Sequence, residues 1–287
     1  MPKVLLLPVT GTPADAPVLQ AALAVGRLFD GHLVALHVRH DVQRDIAAMA
    51  SADMGLATGL QDMIDRMERD ADKRAEAAYA GWHTLCSSNG IVDAARPGPA
   101  GMTAEWRTEI GDQADWLAEH GRTCDLIVVG RTNDGDIGSE AVIEQALMQT
   151  GKPVLLVGAT ADSLAGTIAI AWKDSREAAG AVAAALPFIR LGSRVIVFTV
   201  SEDDDDTDTS VDRLVGALRW HNPNTEARTI RPNGKSAVDA LLGGAVEAGC
   251  GLLVMGGYGH TRLREAVFGG FTRSVLEHAP LPVLIAH

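Results

Sequence analysis

At 287 residues, 47% of them hydrophobic, the chain can form one large globular domain or two of about 140 residues each, and it is too apolar to be disordered. A formal charge of −12 and a sequence pI near 5.1 set its surface against polyanions, which excludes nucleic acid and anionic membrane as general partners. No apolar run nears the ~18 residues that cross a bilayer, so no membrane span is expected.

The chain opens on Met1-Pro2-Lys3, and Val4-Leu5-Leu6-Leu7 follows directly; this is a first strand, Lys3 to Val9, rather than a secretory leader. Cys86, Cys124 and Cys250 are far apart with no CxxC pair, which fits a reducing cytosol and argues against a disulfide framework or a zinc site. A long helical region is expected from about Ser51 to Ser88. Its apolar positions include Met54, Leu60, Met63 and Met67, a stripe read as a core face, with a partner groove as the alternative. Next comes a continuous apolar run, Asp125-Leu126-Ile127-Val128-Val129-Gly130, then a helical stretch and a second run behind proline, Pro153-Val154-Leu155-Leu156-Val157. Gly158 to Ser163 is a small-residue linker.

The second half repeats this order. Its first strand is Thr167 to Trp172, its fourth is Cys250 to Gly256, and its last is Pro282-Val283-Leu284-Ile285-Ala286. First strands align from residue 9 to 172, a shift of 163, and fourth strands from 124 to 250, a shift of 126. The first half therefore carries 37 extra residues, the difference of those shifts, mostly in the long helical region. Short buried runs bounded by Gly and Pro, alternating with helices, predict an α/β chain of two tandem doubly wound five-stranded parallel-sheet domains, 1–160 and 165–287.

After Leu252-Leu253-Val254-Met255 the sequence runs Gly256-Gly257-Tyr258-Gly259, continues through Phe268, and reaches Gly269-Gly270-Phe271-Thr272, which opens a helix. Glycines at a strand end let backbone N–H groups approach an anion, and the amides at a helix start favour negative charge. The loop also leaves the carboxyl end of a strand, where open α/β sheets place ligands. A tight strand-to-helix turn with no ligand is the alternative reading. Walker, Rossmann and nucleophile-elbow motifs are all missing from the sequence.

The spacing Gly256-x2-Gly259-x9-Gly269 in this context, followed by Pro282 to Ile285, resembles the universal stress protein family, and the resemblance covers the whole chain as two copies. It implies an adenine nucleotide alpha hydrolase-like fold and ATP or AMP as ligand, with Mg²⁺ only if ATP is bound. Carried over by position, phosphate contacts fall on Gly256, Gly259, Gly269 and Gly270, with Phe271 and Thr272 opening the helix. Adenine and ribose rest near Ala171, Lys173, Val200 and Met255. Two departures stand out: Gly270 replaces the family's Ser or Thr, and Lys173 stands where the first strand normally ends in aspartate, with Asp174 one place late.

The first half reads as a degenerate copy. Its loop, Arg131 to Ser139, is five residues shorter, puts Asn133 where Gly259 stands, and adds Asp134 and Asp136; Thr10 occupies the aspartate position. Like charge there opposes an anion. Glu202 to Asp206 with Asp208 read as a solvated loop, Trp82, Trp106 and Trp116 as packing, and Arg262, Arg264 and Arg273 as phosphate attractors or partners of Glu265 and Glu277. The expected function is a cytoplasmic stress-response or signalling module that binds nucleotide in its second half. With no general base in evidence, it would be at most a weak ATPase. The alternative is a nucleotide-free scaffold that uses the long helix as contact surface. The two halves are expected to pack on each other through their last strands, and further homodimerisation is left open.

Overall fold

The computed structural model describes residues 1–42, 60–94, 96, 101–131, 137–158, 163–201, 209–257 and 270–287. In chain order the first half contributes β1 (Val4–Pro8), α1 (Asp15–Phe29), β2 (His32–Arg39), α2 (Leu60–Asn89), β3 (Val92–Asp93), β4 (Thr103–Ile110), α3 (Gln113–Gly121), β5 (Leu126–Gly130), α4 (Ile137–Thr150) and β6 (Val154–Val157). The second contributes β7 (Thr167–Ala171), α5 (Arg176–Leu191), β8 (Arg194–Val200), α6 (Ser210–Leu218), β9 (Thr225–Ile230), α7 (Ala237–Glu247), β10 (Cys250–Gly256), α8 (Gly270–His278) and β11 (Val283–Ala286).

The strands form one sheet in the order β3-β4-β2-β1-β5-β6-β11-β10-β7-β8-β9. Within each half every pairing is parallel and the strand order reverses beside the first strand, as in doubly wound folds. The seam between the halves is the exception: β11 runs antiparallel to β6, with Val283 opposite Leu156 and Ile285 opposite Val154. Both seam strands are wholly apolar and buried, which is why two four-residue edges meet here rather than facing water. Because these edges are used within the chain, they are closed to a second copy.

Alternate side chains serve opposite faces. One core gathers Leu5 and Leu7 of β1, α1, the inner stripe of α2, and Phe188 and Ile189 of α5; the other gathers Leu6, Leu117, Leu147, Leu241 and Leu276 from the α3, α4, α7 and α8 side. Each core runs through both halves. Phe29 of α1 meets Phe188 of α5 edge to face, centroids 5.1 Å apart, directly across the seam. Arg131, at the end of β5, also crosses it, donating from Nη1 to the Ala279 carbonyl, and burial lowers its pKa.

On α2 the buried positions are Ala71, Ala78, Trp82 and Leu85, a helical stripe that lies on the sheet, while Met63 and Met67 are half-buried nearer the amino end. The stripe named from the sequence is not this one: Met63 and Met67 belong to neither core, Met67 lining a cavity instead, while Met54 and the side chain of Leu60 lie outside the described residues. Trp82 and Trp106 pack together with centroids 6.4 Å apart. Where α2 crosses the turn after β1, Gly11 has φ +77°, and a Cβ there would collide with the Arg74 carbonyl oxygen. That contact fixes α2 over the end of β1.

On β4, Arg107 Nε donates to Glu105 at 2.8 Å and holds its carboxyl below the ordinary 4.5, with His32 adding to the effect. A carboxyl lowered in the folded state adds stability above the unfolded pKa and loses it as pH falls through the folded value.

Phe188→Ala should cost about 3–5 kcal/mol in denaturant unfolding, because its ring is shared by both halves. Gly11→Ala should destabilise by about 1–3 kcal/mol from the positive φ and the clash with α2. Glu105→Gln should flatten the loss of stability on acidification below about pH 4.5, followed by thermal melts across pH.

Candidate functional site

Each half has a cleft at the carboxyl ends of its strands, where the strand order reverses: between β1 and β5 in the first half and between β7 and β10 in the second. In the second cleft, Ala171 and Met255 are register partners on neighbouring strands, and Val200 lies beyond Phe198, the partner of Ala171 on β8. All three belong to the core face covered by α7 and α8. Met255 is buried, whereas Lys173, just past β7, is exposed. Asp174 turns away to Arg213 of α6 at 3.5 Å, in keeping with its position one residue late. Trp172 is fixed by Nε1 donating to Ser210 at 3.0 Å and packs against the opposite core face, so it does not share a wall with Ala171 and Met255.

The glycines of this half have separate causes. A Cβ on Gly256 would lie 2.5 Å from the Ala178 nitrogen and 2.6 Å from the Glu177 carbonyl carbon, so the end of β10 needs glycine simply to pass the first turn of α5. The Gly257 amide is committed to the Ala286 carbonyl at 2.8 Å. Gly270 starts α8 with open space around it, Phe271 beside it is exposed, and Thr272 is buried. The amides opening α8 are the groups here suited to an anion. Gly259 and Gly269 lie outside the described residues, as do Arg262, Arg264, Glu265 and the acidic stretch 202–208. Arg273 pairs with Glu277 at 2.9 Å.

The first cleft is a cavity of about 640 Å³. Its apolar wall comes from Val9, Val18, Val129, Val142 and Ile143, and α2 contributes Met67, Asp70 and Arg74. At its base the Asp15 carboxylate, 8% exposed, accepts from the amides of Thr10 and Gly11 at 2.9 and 2.7 Å and from the Thr10 hydroxyl at 2.8 Å. Across the cleft Asp112 caps α3, its Oδ1 accepting from the amides of Ala114 and Asp115 at 2.8 and 3.0 Å. At the matching places of the second half the caps are neutral: Ser175 accepts from Ala178 and Ser236 from Asp239.

His37, 3% exposed, also lines the first cleft. Its Nδ1 lies 2.8 Å from the Val9 carbonyl oxygen, its ring stacks on Trp106, and its buried Nε2 has no partner among the described residues. Asn133, Asp134 and Asp136 lie outside the described residues.

Asp15, His37 and Asp112 were not singled out from the sequence. His37 had a visible signal, since it shares the inward parity of Leu33 and Ala35 on β2, where a polar residue is out of place. Asp112 sits where an amino-terminal cap belongs. Asp15 gave none, because its partners are set by how the turn folds back. The three cysteines offer no nucleophile: burial pushes each thiol up to about 11, so all are protonated near neutral pH. Among the described residues no three His, Cys, Asp or Glu side chains come together to hold a metal, and no helix is long and apolar enough to cross a membrane.

The sequence model of the universal stress protein family matches residues 165–287. No functionally curated protein matches the sequence. Among solved structures, a universal stress protein from Archaeoglobus fulgidus is similar over 99% of this chain and 97% of its own, with TM-score 0.71 and 17% identity. A protein from Pseudomonas aeruginosa described as a universal stress protein is similar over 99% and 93%, with TM-score 0.59 and 14% identity. At these identities the likeness speaks for the fold, and it extends over both halves. Residues 165–287 thus match the sequence model of the universal stress protein family, and the fold of solved universal stress proteins extends over both halves of the chain.

Proposed function

We propose that the chain is a cytoplasmic stress-response or signalling module of two units, 1–160 and 165–287, whose second unit binds ATP or AMP without efficient turnover. Mg²⁺ enters only with ATP. The observation that carries this reading is the passage from β10, ending at Gly256, to α8, opening at Gly270, across the spacing Gly256-x2-Gly259-x9-Gly269. Such a connection brings a helix start to the carboxyl end of the sheet, where its unpaired amides suit phosphate. Lys173 adds an exposed cation at that end, and the helix caps there are the neutral Ser175 and Ser236, the latter donating to the Asp239 carboxylate at 2.7 Å. Ala171, Val200 and Met255 offer the apolar wall that a base needs. The binding role of Gly256 is its backbone alone, since packing against α5 already demands glycine there.

The scaffold reading draws less support. The apolar stripe of α2 is spent on the sheet at Ala71, Ala78, Trp82 and Leu85, which leaves Tyr79 as its large exposed apolar side chain among the described residues.

Differential scanning fluorimetry with ATP, AMP and no ligand tests the proposal. Nucleotide at 100 times its dissociation constant should stabilise the fold by about 2.7 kcal/mol. Gly269→Leu should remove that shift and Lys173→Ala should weaken it, while Gly270→Ala should keep it, because only a backbone amide is used there. No shift with either nucleotide would refute nucleotide binding. Phosphate release at the level of an efficient ATPase, with Mg²⁺ present, would refute the sensing mode.

A further inference from the structure

We propose that the outer edge of β9 is the contact surface for a second copy of this chain, joined antiparallel about a twofold axis at Ala227. Strand β9 ends the sheet, and its register to β8 runs from Thr225 to Ile230 without a bulge. The seam has already closed the edges of β6 and β11, and at the far end of the sheet β3 has only two residues, Val92 and Asp93. Among the described residues no strand covers β9 on its outer side, and its sequence holds no proline to block pairing.

The direction of its main-chain groups fixes the register. The Asn224 carbonyl accepts from the Val195 amide of β8 at 2.9 Å, and the Ile230 carbonyl from the Ser201 amide at 3.1 Å. Even positions of the strand therefore turn their N–H and C=O groups toward β8, and Thr225, Ala227 and Thr229 turn theirs outward. Ala227 and Thr229 are exposed. Two antiparallel strands exchange hydrogen bonds only where outward-facing residues stand opposite each other. A dyad at Ala227 meets this condition: Ala227 faces Ala227 of the second copy, and Thr225 faces Thr229 of the second copy.

Charge then selects this dyad over its neighbours. With Ala227 at the centre, Glu226 falls opposite Arg228 of the second copy, and Arg228 opposite its Glu226. These are the non-hydrogen-bonded positions, where the strands come closest, with Cα atoms about 4.5 Å apart. Moving the dyad to Thr225 or Thr229 would set Glu226 against Asn224 or Pro232 instead. Both charged side chains lie on the α7 face, where Ile230 joins the core and Arg228 stands over the Phe198 ring, 5.8 Å from its centroid. Glu226 is 44% exposed and Arg228 41%, so each remains accessible although Glu226 also meets Arg194 at 2.6 Å.

The α6 side of the edge supplies an apolar anchor. Arg219 Nε donates to the outward Thr225 carbonyl at 3.2 Å, which places the turn after α6 beside this edge. The next residue, Trp220, is 89% exposed. Its turn is pinned by the buried Asn222 amide, which donates to the carbonyls of Ile189 and Gly192 at 2.8 and 2.7 Å. A large ring on a fixed turn loses little freedom on association, and tryptophan is favoured at the centre of interfaces.

Sedimentation velocity of the full chain across the micromolar range should show a reversible dimer that weakens as salt is raised. Ala227→Pro removes an N–H that β8 does not use, a change that edge strands tolerate. It should raise the dimer dissociation constant about tenfold or more with the circular dichroism spectrum unchanged. Glu226→Arg and Arg228→Glu should each weaken the dimer by setting like charges opposite, and the double variant should recover it. Trp220→Ser should weaken it as well. In the parent chain, amide exchange at Ala227 and Thr229 should slow as concentration rises, a readout that needs no variant to fold. The proposal is overturned if the chain stays monomeric across that range, or if Ala227→Pro leaves the dimer intact. It is equally overturned if the charge-swapped double variant associates no better than the single ones, or if exchange at Ala227 and Thr229 ignores concentration.

Discussion

The antiparallel pairing of β6 with β11 is the contact on which the rest of the molecule depends. Each half alone would end in a short apolar strand with one edge of unpaired N–H and C=O groups, a costly exposure and a template for unwanted pairing. Joining the two edges satisfies the backbone along Val154 to Leu156 and Val283 to Ile285, and it turns two sheets into one. The cores above and below then become continuous, so that Phe29 and Phe188 pack as neighbours although they belong to different halves. The orientation of each cleft follows from this seam, because the strands of the two halves run in opposite directions across it.

Within that frame the halves have diverged at the groups that meet a ligand, while the packing positions are matched. Gly130 ends β5 and Gly256 ends β10, the corresponding strands of the two halves, and each is pressed against the helix that follows the first strand. The caps differ. Serine hydroxyls hold the helix starts of the second half, whereas in the first half Asp112 caps α3 and Asp15 closes the turn after β1. Both kinds of cap satisfy amides equally well, so the fold tolerates either; the field inside the cleft does not.

The long helix α2 joins these themes. Its carboxyl part is a conventional core helix through Ala78, Trp82 and Leu85, and its amino part reaches over the end of β1, where Gly11 permits close approach. Met67, Asp70 and Arg74 thereby become part of the first cleft. The extra residues that separate the two halves in length thus add wall to a cavity as well as covering a sheet.

The sequence by itself determined the repeat, the strand runs and the tandem doubly wound class, because buried parallel strands must be continuous apolar runs and those are visible one residue at a time. It also marked the Gly256-to-Gly269 loop, whose spacing is local. It placed Ala171, Lys173, Val200 and Met255 on strand ends of one half, but whether neighbouring strands bring such residues together depends on strand order, which only the folded sheet decides. The reason for Gly256 was equally hidden, since the obstacle is the backbone of α5 far away in sequence. Asp15, His37 and Asp112 acquire meaning only when a turn folds back, a ring is trapped beneath α2, and a helix start faces a cavity. Those are distances between segments, and a linear pattern carries none of them.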